Sequence, residues 1–347
     1  MRGKNLWLCV SFLVQNSIMP RQSPRAKSLL PVDSARPSSA MMLKRQLASS
    51  SDSLAKKNPK VSTVDDLQSE IIANLHKHST QTTKDWFTNY VKGTEWIGCK
   101  LPTVRLCVNA VIPPVKKTKR KKNKKKEDEH ADLSSPALSA ELLLDTSIRL
   151  MEQKESDVKL AGMLILSECF PVDDPSLPLC SVAVLDRLEK SVLDKNFVGD
   201  WSSADWFAMK VLRKIALEAP EDQSEEIVQR VLDYTKNGTN LWYRRCGVVP
   251  FVQYYKNRDV LPNDMDKRVI HACEESLLAS PNERFTQTGI AWVLRYMVSP
   301  ETATKQERKL AGDMILKHSD LWTKEARKSL TEKLTKTDPL ARKILKA

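Results

Sequence analysis

Apolar residues recur at helical spacing along most of the chain, beginning near residue 64. Clear runs cover residues 64–75, 142–151 and 158–166. Side chains three and four residues apart lie on one face of a helix, so each run predicts a helix with one buried face. Asp200 and Asn240 each precede a further apolar segment, and both are residue types that cap helix N-termini. The pattern predicts a body built of many helices.

Composition and spacing extend this pattern to an all-α fold. Only 9 glycines occur in 347 residues, and aromatic residues make up 6% of the chain, which argues against all-β and glycine-rich nucleotide-binding folds. Trp201, Trp242 and Trp292 are separated by 41 and 50 residues, close to the period of paired-helix HEAT repeats. We therefore predict a HEAT-like helical-repeat solenoid with one concave face. An all-helical bundle with insertions would give the same spacing.

The formal charge of +13 is concentrated in two segments. Residues 1–60 and residues 116–129 are strongly basic, and the remaining residues are close to neutral. A net positive charge favours an anionic partner such as nucleic acid. Because the body is nearly neutral, a DNA-binding face on it must come from local placement of arginine and lysine.

These segments also define the domain organisation. We expect residues 1–60 to be a disordered basic extension that could serve as a targeting segment, and residues 61–347 to fold as one domain interrupted by a basic loop at 113–135. The run Lys116–Lys126 is typical of a signal read by the nuclear import machinery, of a phosphate-binding arm, or of a solvated loop. The expected location is the nucleus, or the mitochondrion if the extension is the address. No membrane association is expected.

The sequence offers no pattern for a metal, a cofactor or a disulfide framework. Its 7 cysteines are scattered, without a Cys-x-x-Cys pair. Phosphate-binding glycine loops, dinucleotide fingerprints and G-x-S-x-G motifs are also missing from the sequence. We therefore expect neither a metal nor a cofactor.

Four stretches of the predicted helical body carry a family resemblance. They are Tyr90-Val91-Lys92 with residues 97–105, residues 201–205 (WSSAD), residues 240–245 (NLWYRR) and residues 285–295 (FTQTGIAWVLR). In these stretches and in their order, the chain resembles the AlkD-like DNA alkylation repair family, which are HEAT-like-repeat DNA glycosylases. The resemblance covers roughly residues 64–335 and implies a helical-repeat fold with a concave DNA-binding face.

Helical spacing and the resemblance together indicate the candidate site. Trp201 and Asp205 are four residues apart and share a helix face, while Phe285 and Trp292 are seven apart and share another. Aromatic residues combined with arginine are typical of a nucleic-acid groove. The resemblance implies that the catalytic residues are Asp205, Trp201 and Trp292, and that the DNA-binding residues are Arg245, Tyr90, Phe285 and Arg295. Arg245 in particular is expected to contact a phosphate near the lesion.

The resemblance implies a monofunctional DNA glycosylase that excises positively charged alkylated purines from double-stranded DNA. It would act as a monomer and without a deep base-flipping pocket. Replacing Asp205 with Asn should stop base release and leave folding close to normal. The alternative is a noncatalytic HEAT-repeat scaffold that binds nucleic acid or protein; a helical import or translation factor is a third hypothesis.

Overall fold

The computed structural model describes residues 63–114, 138–170, 177–257 and 264–346. Within these ranges the regular structure is helical, and extended pairing is limited to one bridge between Glu95 and Glu155. The all-α prediction is therefore confirmed. The extension at 1–60 and the run Lys116–Lys126 lie outside the described residues. Among the helices of the described ranges, none combines the length and apolar character needed to cross a membrane.

The helices agree with the runs predicted from the sequence. They are, in chain order, α1 (Val64–His78), α2 (Gln81–Tyr90), α3 (Leu101–Val111), α4 (Ala140–Met151), α5 (Ser156–Leu164), α6 (Val182–Leu188), α7 (Trp201–Phe207), α8 (Arg213–Leu217), α9 (Glu221–Asn237), α10 (Leu241–Cys246), α11 (Val252–Asn257), α12 (Met265–Ala279), α13 (Arg284–Met297), α14 (Lys305–Lys317), α15 (Lys324–Leu330) and α16 (Pro339–Lys346). Helices α5, α6 and α7 continue as π-helical turns over Ile165–Cys169, Glu189–Leu193 and Ala208–Leu212.

The helices pack in two rows that both follow chain order. Row A consists of α3, α5, α7, α10, α13 and α15, and each of these packs against the next. Row B consists of α1, α4, α6, α9, α12 and α14, with α4 contacting the π turn that continues α6. Contacts between the rows join α4 to α5, α9 to α10 and α12 to α13. This arrangement fits a helical-repeat fold.

The core lies between the two rows. One large apolar cluster extends through the described residues from Leu67 to Ile344, and its members include fully buried side chains such as Leu144, Val231 and Leu277. The three runs with predicted helical spacing, at 64–75, 142–151 and 158–166, contribute buried side chains to this cluster, and such burial is the main favourable term for folding. The core fixes how neighbouring row A helices face one another.

The first turns of α7, α10 and α13 are capped in the same way. The Asp200 carboxylate accepts hydrogen bonds from the amides of residues 202 and 203 at 2.8 and 3.0 Å. Asn240 accepts from the amides of residues 242 and 243 at 3.0 and 2.9 Å. Glu283 accepts from those of residues 285 and 286 at 3.0 and 2.5 Å. Both predicted caps, Asp200 and Asn240, are confirmed, and the three helices start in the same register.

Candidate active site

A buried ion pair joins two of the predicted site residues, Asp205 on α7 and Arg245 on α10. Arg245 Nε donates to Asp205 Oδ1 at 2.7 Å, and Nη2 donates to Oδ2 at 3.0 Å. Asp205 is 6% exposed and Arg245 is 5% exposed. The planar guanidinium therefore grips the carboxylate with two parallel hydrogen bonds, which fixes the orientation of the carboxylate.

The same guanidinium reaches the next row A helix, α13. Arg245 Nη1 donates to the backbone carbonyl of Phe285 and lies 3.4 Å from Thr288 Oγ1. Gly289 makes room for this contact, because a Cβ atom there would stand only 2.8 Å from Arg245 Nη1. Arg245 thus connects α7, α10 and α13 through one side chain.

The repeat register explains why these groups meet. Asp205 lies five residues after the cap of α7, Arg245 five after the cap of α10, and Thr288 five after the cap of α13. Equivalent positions on helices packed side by side face their neighbours at the same height. The ion pair is therefore a contact between equivalent positions of consecutive row A helices.

Burial dominates the electrostatics of Asp205. Desolvation raises the pKa of the Asp205 carboxyl above its usual range, the ion pair with Arg245 opposes this rise, and Asp200 adds to it. The ion pair also changes the expected effect of Asp205→Asn on folding. Asn would leave the buried Arg245 guanidinium without its counter-charge. We therefore expect Asp205→Asn to lower the stability of the fold, in contrast to the near-normal folding expected from the sequence.

Two aromatic pairs involve three further predicted residues, Tyr90, Trp201 and Phe285. Tyr90, at the end of α2, meets Trp201 edge to face, with ring centroids 5.5 Å apart and planes at 77°. Trp201 stands one helical turn before Asp205 and is half-buried. On α10 and α13, the Trp242 and Phe285 rings lie 5.1 Å apart at 54°. The first pair thus places an aromatic contact at the start of α7, one helical turn before the buried carboxylate.

Trp292 and Arg295 form a separate contact on α13. The Arg295 guanidinium carbon lies 5.8 Å from the Trp292 ring centroid and 5.0 Å from that of Tyr296. Arg295 also forms an ion pair with Glu332. Trp292 is 7% exposed, and its buried Nε1 has no hydrogen-bond partner in the described part of the chain.

The two arginines expected to bind DNA are turned towards the protein. Arg295 is 3% exposed and Arg245 is 5% exposed, and both guanidinium groups are bonded to protein acceptors. The free protein therefore does not present them as surface cations. Arg245 uses Nε and one Nη2 hydrogen for Asp205 and directs Nη1 to α13, so a phosphate would have to reach a guanidinium that is 5% exposed.

Sequence reasoning missed a second buried carboxylate, Asp157 on α5. Its oxygens accept hydrogen bonds from the backbone amides of residues 97, 98 and 99 at 3.0, 2.8 and 2.9 Å. Gly98 adopts a φ of 116°, a conformation that L side chains rarely adopt. Asp157 therefore fixes the segment that leads from α2 to α3. Nothing in the local sequence around Asp157 signals this contact.

Sequence reasoning also did not anticipate that Arg105 and Lys210 lie near Glu168, which follows α5. Arg105 binds Glu168 through two hydrogen bonds of 2.7 and 2.8 Å. Lys210 lies in the π turn after α7, with Nζ 5.5 Å from the Trp206 ring centroid. Burial lowers the pKa of Lys210, while Glu168 opposes this shift and Arg105 adds to it. Asp205 instead binds Arg245 on α10. Lys210 and Asp205 therefore interact with different neighbouring helices.

Comparison with known proteins identifies the family. A family model described as DNA alkylation repair enzyme matches residues 71–330, which include row A from α3 to α15 and every predicted site residue. No curated protein and no solved structure matches the chain. The family match supports a role in DNA alkylation repair, with DNA as the substrate. The chain belongs to the DNA alkylation repair enzyme family.

Proposed function

We propose that the chain is a monofunctional DNA glycosylase that hydrolyses the N-glycosidic bond of positively charged alkylated purines, of the 3-methyladenine and 7-methylguanine type, in duplex DNA. The observation that carries this proposal is the Asp205 carboxylate. It is buried, oriented by Arg245, and one helical turn from Trp201. An oriented carboxylate beside an aromatic ring is suited to stabilising positive charge that develops on a sugar.

The leaving group explains how one carboxylate is enough. A purine alkylated at N3 or N7 already carries positive charge, so it departs without a general acid, through an oxocarbenium-like sugar cation. Each Asp205 oxygen accepts one hydrogen bond from Arg245, and a carboxylate oxygen has a second lone pair. Asp205 would use that remaining capacity to stabilise the sugar cation and position the attacking water.

Arg245 acts in this scheme as a positioning residue. The guanidinium fork holds the carboxylate in one orientation and favours its ionised form against the effect of burial. Gly289 and the Phe285 carbonyl fix the guanidinium from the α13 side. The oriented ion pair is thus prepared before substrate binds, which is how electrostatic stabilisation accelerates a reaction without reorganisation.

Aromatic side chains would complete the site. The half-buried Trp201 would attract a cationic base or sugar through cation–π interactions and exclude water. Trp292 is 7% exposed and lies against Arg295, so its face would have to be uncovered before it could do the same. Tyr90 supports Trp201 by the edge-to-face contact. The duplex would lie along the row A helices, on the concave face of a HEAT-like solenoid, and Phe285 would contact DNA at its edge. No deep base pocket is required, so bulky adducts are tolerated.

A noncatalytic helical-repeat scaffold is the second candidate. It is favoured by the same ion pair, because a guanidinium bonded to α7 and α13 also serves to fix three neighbouring helices. In that case, Asp205 contributes only to folding. The protein would then bind nucleic acid without accelerating base loss.

Base release from methylated duplex DNA separates the two candidates. The full chain should release 7-methylguanine and 3-methyladenine faster than buffer, and Asp205→Asn should reduce the excess rate by about 10²–10³-fold. Asp313→Asn is the matched control, since this exposed carboxylate pairs with Lys309 on α14. Wild-type protein that binds the DNA without excess release would establish the scaffold. Unchanged release by Asp205→Asn would remove Asp205 from the reaction.

We also propose a nuclear location and a monomeric state. The feature that motivates the nuclear location is the Lys116–Lys126 run, whose charge density suits the import machinery. The mitochondrion is the alternative address, carried by residues 1–60.

A further inference from the structure

Trp86 is an exposed tryptophan in the middle of α2. Its side chain is 45% exposed, the most exposed aromatic side chain among the described residues. One helical turn later, Tyr90 stacks on it with ring centroids 5.0 Å apart and planes at 19°. Tyr90 in turn contacts Trp201 edge to face at 5.5 Å. The three rings form a continuous aromatic track, which starts at the surface and ends one helical turn from Asp205.

The track packs against a buried aromatic cluster. Phe87, beside Trp86, stacks on Trp96 with centroids 4.2 Å apart and planes at 9°, and it meets Trp86 edge to face at 4.9 Å. Phe87, Trp96 and Val91 are buried, and Tyr90 and Trp201 pack against them. The indole of Trp86 is therefore held in place while much of its surface remains open to solvent.

We propose that Trp86 is a stacking site for a nucleobase displaced from the DNA duplex. This inference rests on the proposed function, which brings damaged DNA to the neighbouring Asp205. A base offers a flat π surface only when it leaves the helical stack, and stacking on aromatic side chains is tolerant of base identity. The exposed cation Lys92, two residues beyond Tyr90, suits the accompanying phosphate.

This site adds a role to those of the predicted residues. Tyr90 and Trp201 are half-buried and each already contacts another ring of the track, so Trp86 provides the accessible end. A base stacked there would remain outside the duplex on an open surface, without an enclosing pocket. The stacking energy would offset part of the cost of removing the base from the helix.

Binding of two duplexes that differ in one unpaired base tests the proposal. One contains 2-aminopurine opposite an abasic analogue, and the other contains it paired with thymine. Trp86→Ala should weaken binding of the first duplex by about 10- to 100-fold, as loss of one stacked base predicts, and leave binding of the second unchanged. Trp86→Phe should retain most of the affinity. Leu278→Ala is the matched control, because Leu278 is an exposed apolar residue on row B.

The fluorescence of 2-aminopurine provides a direct readout, since stacking on an indole quenches it. Wild-type protein should quench the unpaired probe, and Trp86→Ala should not. An equal loss of affinity for both duplexes would make Trp86 an ordinary duplex contact and overturn the proposal. Unchanged affinity and unchanged quenching in Trp86→Ala would also overturn the proposal, because the base would then not stack on Trp86. Release of 7-methylguanine is measured separately, so failure of stacking and failure of the glycosylase proposal are distinguishable.

Discussion

Replacing Asp205 with Asn should destabilise the protein, although the two side chains have nearly the same shape. In the folded chain, Asp205 neutralises a guanidinium that is 5% exposed. Removing one partner of a buried ion pair leaves an uncompensated charge and costs about 3–5 kcal/mol. Asn can still accept one hydrogen bond from Arg245, so we expect a loss near the lower end, about 3 kcal/mol.

A double-mutant cycle isolates the pair from other effects of each substitution. The free energy of unfolding is measured by urea titration for wild type, Asp205→Asn, Arg245→Gln and the double variant. Because the double variant has neither buried charge, its loss should be smaller than the sum of the single losses, by about 2–3 kcal/mol. The exposed pair Lys309–Asp313 serves as the control, and its coupling should stay below about 1 kcal/mol.

Additive losses at Asp205 and Arg245 would refute this reasoning, because they would mean that the two charges do not stabilise one another. The cycle also sets the conditions for the excision assay. Rates of Asp205→Asn should be measured at a temperature where the variant remains folded, so that a lost reaction is not confused with lost structure.

Two further predictions concern pH and location. Because the pKa of Asp205 is raised and the proposed reaction needs its ionised form, excess base release should fall as pH decreases through a range above that of an ordinary aspartate; a rate that stays constant down to the usual aspartate range would contradict this assignment. Replacing the lysines of Lys116–Lys126 with serine should move a fluorescent fusion out of the nucleus without unfolding the protein. Continued nuclear accumulation would remove the import signal, and mitochondrial accumulation would favour residues 1–60 as the address.

Sequence reasoning succeeded where the relevant physics is local. The helical runs at 64–75 and 142–151 lie in α1 and α4, and the caps Asp200 and Asn240 hold the first turns of α7 and α10. Capping and apolar periodicity act within one or two helical turns, so the residues themselves carry the signal. The AlkD-like resemblance agrees with the family model that matches residues 71–330.

The partners of the charged side chains required the tertiary structure. Arg245 looked like a surface cation in the sequence, but it binds Asp205, forty residues away. Arg295 likewise pairs with Glu332. The repeat register held one usable signal, because Asp205 and Arg245 each lie five residues after a cap. A second usable signal was the four-residue spacing of Trp86 and Tyr90, which places both rings on one helix face.

The sequence by itself determined that this protein is helical, that two of its helices begin after Asp200 and Asn240, and which residues share a helix face. Those properties follow from backbone geometry and from side chains a few positions apart. Only the tertiary structure decided that Arg245 is turned inward to a carboxylate and that Asp157 binds the backbone of residues 97–99. It also decided that Trp86 remains exposed. These outcomes depend on how neighbouring helices pack, because packing determines which charges lose water and must find a partner within the protein.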